Sequence, residues 1–186
     1  KSLTDYHIEM LMGTLDEREK SLIELNRMGM EVPVEQILES YNSYMDEAGV
    51  YLGLHTSLGK NMREHYTKLL LNSGGAERAV EIYLGTLNDE NIGLRRKSTF
   101  ALVSLGDERH LKSLINALQD EDADVRGLAA EALGEIGDER AVKYLKRSLG
   151  DPNLIVKSFS RFALNRIQER HPSESHTSQR ARGGTL

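Results

Sequence analysis

From residue 76 to 168, apolar residues recur every three or four positions, and polar runs interrupt that spacing at regular intervals. Ala141, Val142, Leu145 and Leu149 form one such stripe. The breaker "GDPN" follows, and Val156, Phe159, Ala163, Leu164 and Ile167 form a second stripe. Three- and four-residue spacing puts each set on one helix face, and Asp and Pro in the breaker end one helix before the next begins. The same arrangement upstream predicts three helix pairs: 76–88 with 92–105, 107–119 with 123–136, and 138–149 with 154–168.

These pairs are copies. Displaced by 31 residues, the chain aligns Leu87, Leu118 and Leu149; Asp89, Asp120 and Asp151; Arg78, Arg109 and Arg140; and Leu71, Leu102, Leu133 and Leu164. Arg95 and Arg126 align with Lys157. "GDER" occurs at 106–109 and again at 137–140, with "GAER" at 75–78. Gly106 and Gly137 sit where a helix stop takes a left-handed residue. Asp107 and Asp138 are placed to cap the next helix, with Glu108 and Glu139 in its first turn. Arg109 and Arg140 are expected to pair, exposed, with an acid of a neighbouring unit. Two short amphipathic helices cannot bury their faces alone, so the units must stack into one continuous core. Alanines at 101, 129, 132 and 163 permit close approach. The fold class expected is all-α, a right-handed α-solenoid with units near 76–106, 107–137 and 138–168 inside an array spanning 62–171.

The run "DADVRGLAAEALGEIGDERAVKYLKRSL" resembles HEAT repeats, in particular the short subtype named for phycobilisome lyases. The resemblance is strong over 107–168, fair over 76–106 and weak before residue 75. It implies a ladder along the array, made by the turn Asp and the Arg that follows it: Asp89 with Arg95, Asp120 with Arg126, and Asp151 with Lys157. Lysine at the third rung lacks the planar guanidinium fork, so that end should be looser. The resemblance also implies that the second helix of each unit lines a concave face. The columns left for it are Arg96, Thr99, Phe100 and Val103; Gly127, Ala130, Glu131 and Gly134; and Ser158, Arg161, Phe162 and Asn165. The middle unit then presents a small-residue strip flanked by an Arg and a Phe on either side, a groove suited to a helix or loop. Equally, Phe100 and Phe162 could point into the core between repeats.

Residues 1–61 lack the period and read as a helical N-terminal cap. Thr14 and Glu17 have capping-box spacing, Pro33 suits the first turn of a helix running to about Ala48, and a further helix is expected from about 50 to 72. The cap holds Met10, Met12, Met28, Met30 and Met45, with Tyr6, Tyr41, Tyr44 and Tyr51. These are either fillers of an irregular core or an adaptable docking surface. Residues 172–186, rich in Ser, Gly and Arg, read as a disordered tail.

Composition narrows the chemistry. The chain of 186 residues has a formal net charge of −5 and no cysteine, which removes disulfides, thiolate nucleophiles and Cys-ligated metals. The acidity lies in the cap, at net −6, whereas 62–171 is neutral. That balance, with Arg95-Arg96-Lys97 as the one dense basic run, argues against nucleic acid as partner. No apolar run approaches the ~20 residues of a membrane span. "KSLTDYHIEM" has no apolar leader core, and Lys1 in place of Met leaves a trimmed start open, so a cytoplasmic setting is the default expectation. None of His7, His55, His65, His110, His171 and His176 has metal-ligand spacing. No nucleophile elbow or phosphate loop is present. The expectation is therefore a non-catalytic protein-interaction module without cofactor or metal, binding another protein through the concave face. The alternative is a subunit of an enzyme like the phycobilin lyases.

Overall fold

The computed structural model describes residues 2–55 and 57–172, with side chains outside 48–58. The tail from residue 173 on, and the Tyr51 and His55 side chains, lie outside the described residues. Among the described residues ten α-helices follow in order: α1 (Leu3–Met10), α2 (Leu15–Met28), α3 (Val34–His55), α4 (Ser57–Asn72), α5 (Ala76–Thr86), α6 (Ile92–Leu105), α7 (Leu111–Ala117), α8 (Ala123–Ile136), α9 (Val142–Ser148) and α10 (Leu154–Arg170). No strand occurs among the described residues, and no described helix is long and apolar enough to cross a membrane.

Helices α5/α6, α7/α8 and α9/α10 are the three repeated pairs. The first helix of a pair is short. In the second and third units it starts with a single 3-10 turn, Glu108–His110 and Glu139–Ala141. Asp107 and Asp138 cap those turns by accepting the backbone N–H of Arg109 and Arg140, each at 2.8 Å. Gly137 is left-handed (φ 76°), as a helix stop favours. Gly106 departs from the expectation: it is extended (φ −71°), and its N–H still closes onto the Leu102 carbonyl at 2.9 Å. The long second helices are capped by Asn91, Asp122 and Asn153, whose side chains accept first-turn amides.

Helices α6, α8 and α10 pack side by side as the inner layer. Their spacing is set by small residues. A Cβ placed on Gly134 would lie 2.7 Å from the Ala163 Cα, so α8 and α10 meet nearly backbone to backbone. One hydrophobic core runs without a break from Leu11 to Ile167. Its N-terminal half is aromatic: Tyr41 is edge-on to Tyr66 and Tyr83 and stacked on Phe100. Met45 and Met62 are buried there, and Met28 and Met30 pack against the same core, so most of the methionines are fillers. Met12 and Tyr6 are exposed. The capping box of Thr14 and Glu17 is formed.

Candidate partner-binding face

The ladder exists, but its rungs run between units. Arg95 Nε donates to Asp120 Oδ2 (2.9 Å) and Nη2 to Asp120 Oδ1 (3.1 Å). Its Nη1 donates to the carbonyls of Asp89 (2.9 Å) and Glu90 (3.2 Å) in its own turn. Arg126 repeats the pattern: Nε and Nη2 hold Asp151 at 2.8 and 3.0 Å, and Nη1 reaches the carbonyls of Asp120 and Glu121. The pairs Asp89–Arg95 and Asp120–Arg126 suggested by the resemblance therefore meet through backbone carbonyls, and each carboxylate that receives the fork belongs to the following unit. The reason is reach. Each turn Asp already folds back onto its own turn, accepting the N–H two residues on at 2.8 Å (Asn91, Asp122 and Asn153). Its outward oxygens then face the preceding unit. Arg126 holds the Asp151 carboxyl below the usual carboxylate range, against the opposing pull of burial. Lys157 belongs to the last unit, with no later turn Asp to hold; its charge only adds to the lowering at Asp151.

Arg96 is not a free surface cation. Its fork binds Asp122 at 2.8 and 2.5 Å, with Asp124 at 3.3 Å, and so depresses the Asp122 carboxyl. Lys97 pairs with Asp46 at 2.6 Å. The basic run at 95–97 is thus neutralised within the chain. At the next junction, Gly127 replaces Arg96 and Asn153 replaces Asp122, so both charges disappear together. Arg109 pairs with its own Asp107 (2.6 Å) and with Glu77 of the preceding unit (3.2 Å), whereas Arg140 pairs with its own Asp138 (2.6 Å).

The expected concave groove is filled in two of the three units. Thr99, Phe100 and Val103 are buried, not exposed. Helices α3 and α4 lie across α6 and α8 and occupy the space a partner would need. Arg63 of α4 ties the arrangement: its guanidinium sits 4.9 Å from the Phe100 ring centroid, and Nη2 donates to Glu131 Oε1 at 3.1 Å. Glu131 is thereby an internal partner. Gly127, Ala130 and Gly134 are also buried, and the two glycines face α10. Phe159 lies 3.3 Å from the Cβ position of Gly127. The columns correctly grouped residues of one helix face, but that face is the stacking and cap-facing side.

Only the third unit leaves the face open. Along α10, Ser158, Arg161, Phe162 and Asn165 are exposed, and Leu154 is 77% and Phe162 52% accessible. The Arg166 guanidinium lies 5.6 Å from the Phe162 ring and donates to Glu135 at 2.6 Å. Where α8 has Gly127, Ala130 and Gly134, α10 has Ser158, Arg161 and Asn165. Larger polar side chains stand where α8 has small ones, so a helix could not approach α10 as closely as α10 approaches α8.

A family model for HEAT repeats matches residues 81–165. That segment consists of HEAT repeats. Repeats of this kind generally serve as protein-interaction scaffolds. No curated protein matches the chain. Among solved structures it is similar to three engineered proteins. The first is 17% identical with a TM-score of 0.42, covering 91% of this chain and 98% of the other. The second is 19% identical at 0.46, covering 89% and 47%, and the third 15% at 0.40, covering 91% and 100%. The chain thus spans about half the length of the second of them.

Proposed function

We propose that this chain is a non-catalytic protein-interaction module and that its docking face is the solvent side of α10, with Arg161, Phe162 and Asn165 at its centre. One observation carries the proposal: the column covered by neighbours in the first two units is open in the third, and leaves an exposed aromatic ring with the Arg166 guanidinium 5.6 Å from it and the exposed Arg161 next to it in sequence. Arg and aromatic side chains dominate binding energy at protein interfaces. Thr99, Phe100, Val103, Arg96 and Glu131 belong to the internal packing of the module.

The test is affinity capture with three forms: wild type, Arg161→Glu/Phe162→Ala, and Lys112→Glu on α7 as a control. A bound species lost only from the double variant supports the proposal. Equal retention by all three overturns it.

A further inference from the structure

The first helices of the second and third units carry positive charge that the chain does not balance. Helix α7 holds one charged residue, Lys112, and α9 holds three, Lys143, Lys146 and Arg147; neither helix has an acid. The 31-residue displacement that aligns the repeats puts Glu81 of α5 in register with Lys112 and Lys143, so the acid of the first unit is a lysine in the next two. All four cations are exposed, and none has an acid partner among the described residues. The chain as a whole is at −5, so this strip runs against its overall charge. Helices α7 and α9 each pack on the long helix of their own unit, and an open cleft of about 550 Å³ lies between them. Lys112 and Lys143 line it with Arg109 and Arg140, which already hold Asp107 and Asp138. Glu108 is the one acid among its described lining residues, and it acts on Arg140. The rest of the lining is largely apolar: Leu111 is buried, Ile115 and Tyr144 are half-buried, and Lys143 Nζ lies 4.8 Å from the Tyr144 ring centroid.

We propose that this cleft docks an acidic segment of another protein, with carboxylates on Lys112 and Lys143 and an apolar side chain against Leu111, Ile115 and Tyr144. Unpaired cations call for an anionic partner, and the apolar lining decides which kind. A nucleic-acid backbone or a layer of anionic headgroups would satisfy the cations and leave that lining uncovered. A segment that sets Glu or Asp beside Leu does both. The cations continue past the cleft to Lys146 and Arg147, three and four residues along the same helix face from Lys143, a longer strip than one small anion would use. The cleft lies between two adjoining repeats, and its occupant does not depend on what α10 binds.

Fluorescence anisotropy of a labelled peptide of Glu-Glu-Leu repeats, titrated with the whole chain, tests this. Binding is expected in low salt and should weaken as salt rises. Lys112→Glu/Lys143→Glu should weaken it about tenfold or more, and so should a peptide with Ser in place of each Leu. Both lysines are exposed, and a circular dichroism melt checks that the variant folds. Lys112→Gln/Lys143→Gln, which removes the charges without reversing them, should fall between that variant and wild type. Lys68→Glu, an exposed reversal on α4, should bind as wild type does. Lys112→Glu leaves the α10 face whole, so it weakens this ligand and keeps whatever docks there, and the two faces fail separately. A peptide that does not bind, or that binds both lysine pairs as it binds wild type, overturns the proposal. So does a Ser peptide that binds as well as the Leu one, which is attraction to any polyanion. Single-stranded DNA or phosphatidylserine vesicles bound more tightly than the peptide, and lost on the same variants, would overturn it in favour of a nucleic acid or a membrane.

Discussion

Replacing Arg126 by Ala removes a side chain that makes four hydrogen bonds at one junction: two to the Asp151 carboxylate and two to the carbonyls of Asp120 and Glu121. The side chains of Arg126 and Asp151 are 14% and 10% exposed. Stranding a buried charge costs about 3–5 kcal/mol. Here Asp151 keeps the Asn153 N–H at 2.8 Å, and an open cleft of about 490 Å³ beside it admits water. A cost of about 2–4 kcal/mol is therefore expected. Because the bonds join the second unit to the third, the loss should fall on the α9/α10 pair first and lower the slope of the urea transition as well as its midpoint. Adding Asp151→Asn should recover a large part of the loss, since it removes the stranded charge, giving a coupling of about 1–3 kcal/mol in the double-mutant cycle. Urea melts followed by helical circular dichroism measure all four corners. A single variant within about 0.5 kcal/mol of wild type, or an additive cycle, would refute the between-unit rung.

Three further outcomes separate the residues by environment. Phe100→Ala should cost about 3–5 kcal/mol, since the ring is fully buried between Tyr41 and Arg63, whereas Phe162→Ala should stay within about 0.5 kcal/mol; thermal melts of the pair decide it. Gly134→Ala should destabilise by about 1–3 kcal/mol although Ala favours helices, because its Cβ would meet the Ala163 backbone; a stabilised variant would count against the close α8–α10 approach. Arg126 and Arg96 hold the carboxyls of Asp151 and Asp122 below the ordinary value of 3.8. Their contribution is then complete above that value and is lost as pH falls through the lower folded values, so stability should decline below about pH 4. Asp151→Asn should flatten that acid limb.

The helices and their period could be read from the sequence because burial within each unit is local: Leu133, Leu145 and Ile167 face a core supplied by residues of the same or adjacent unit. The columns 96/99/100/103 and their copies were also correctly grouped, since helical phase alone fixes which residues share a face. What lies opposite that face was not legible. The covering helices α3 and α4 come from the non-repeating region, and no spacing rule relates Arg63 to Glu131, 68 residues away. The direction of the ladder was hidden for a related reason. The turn Asp and the Arg lie six residues apart in the first two copies, and the sequence favours that short pairing. The geometry selects partners 25 residues apart because the short pairing is already taken by backbone.

Arg63 also has a mechanical meaning. A solenoid with an empty inner side behaves as a spring, each joint contributing a little pitch and bend. Here one side chain straddles two neighbouring coils, stacked on Phe100 of the first and bonded to Glu131 of the second. The first joint is therefore braced by a strut running across the curve. The last joint has no such strut and is held instead by the near contact of the α8 and α10 backbones at Gly134 and Ala163, so the two joints resist bending by different means, one by a side chain spanning the curve and the other by direct contact of neighbouring coils.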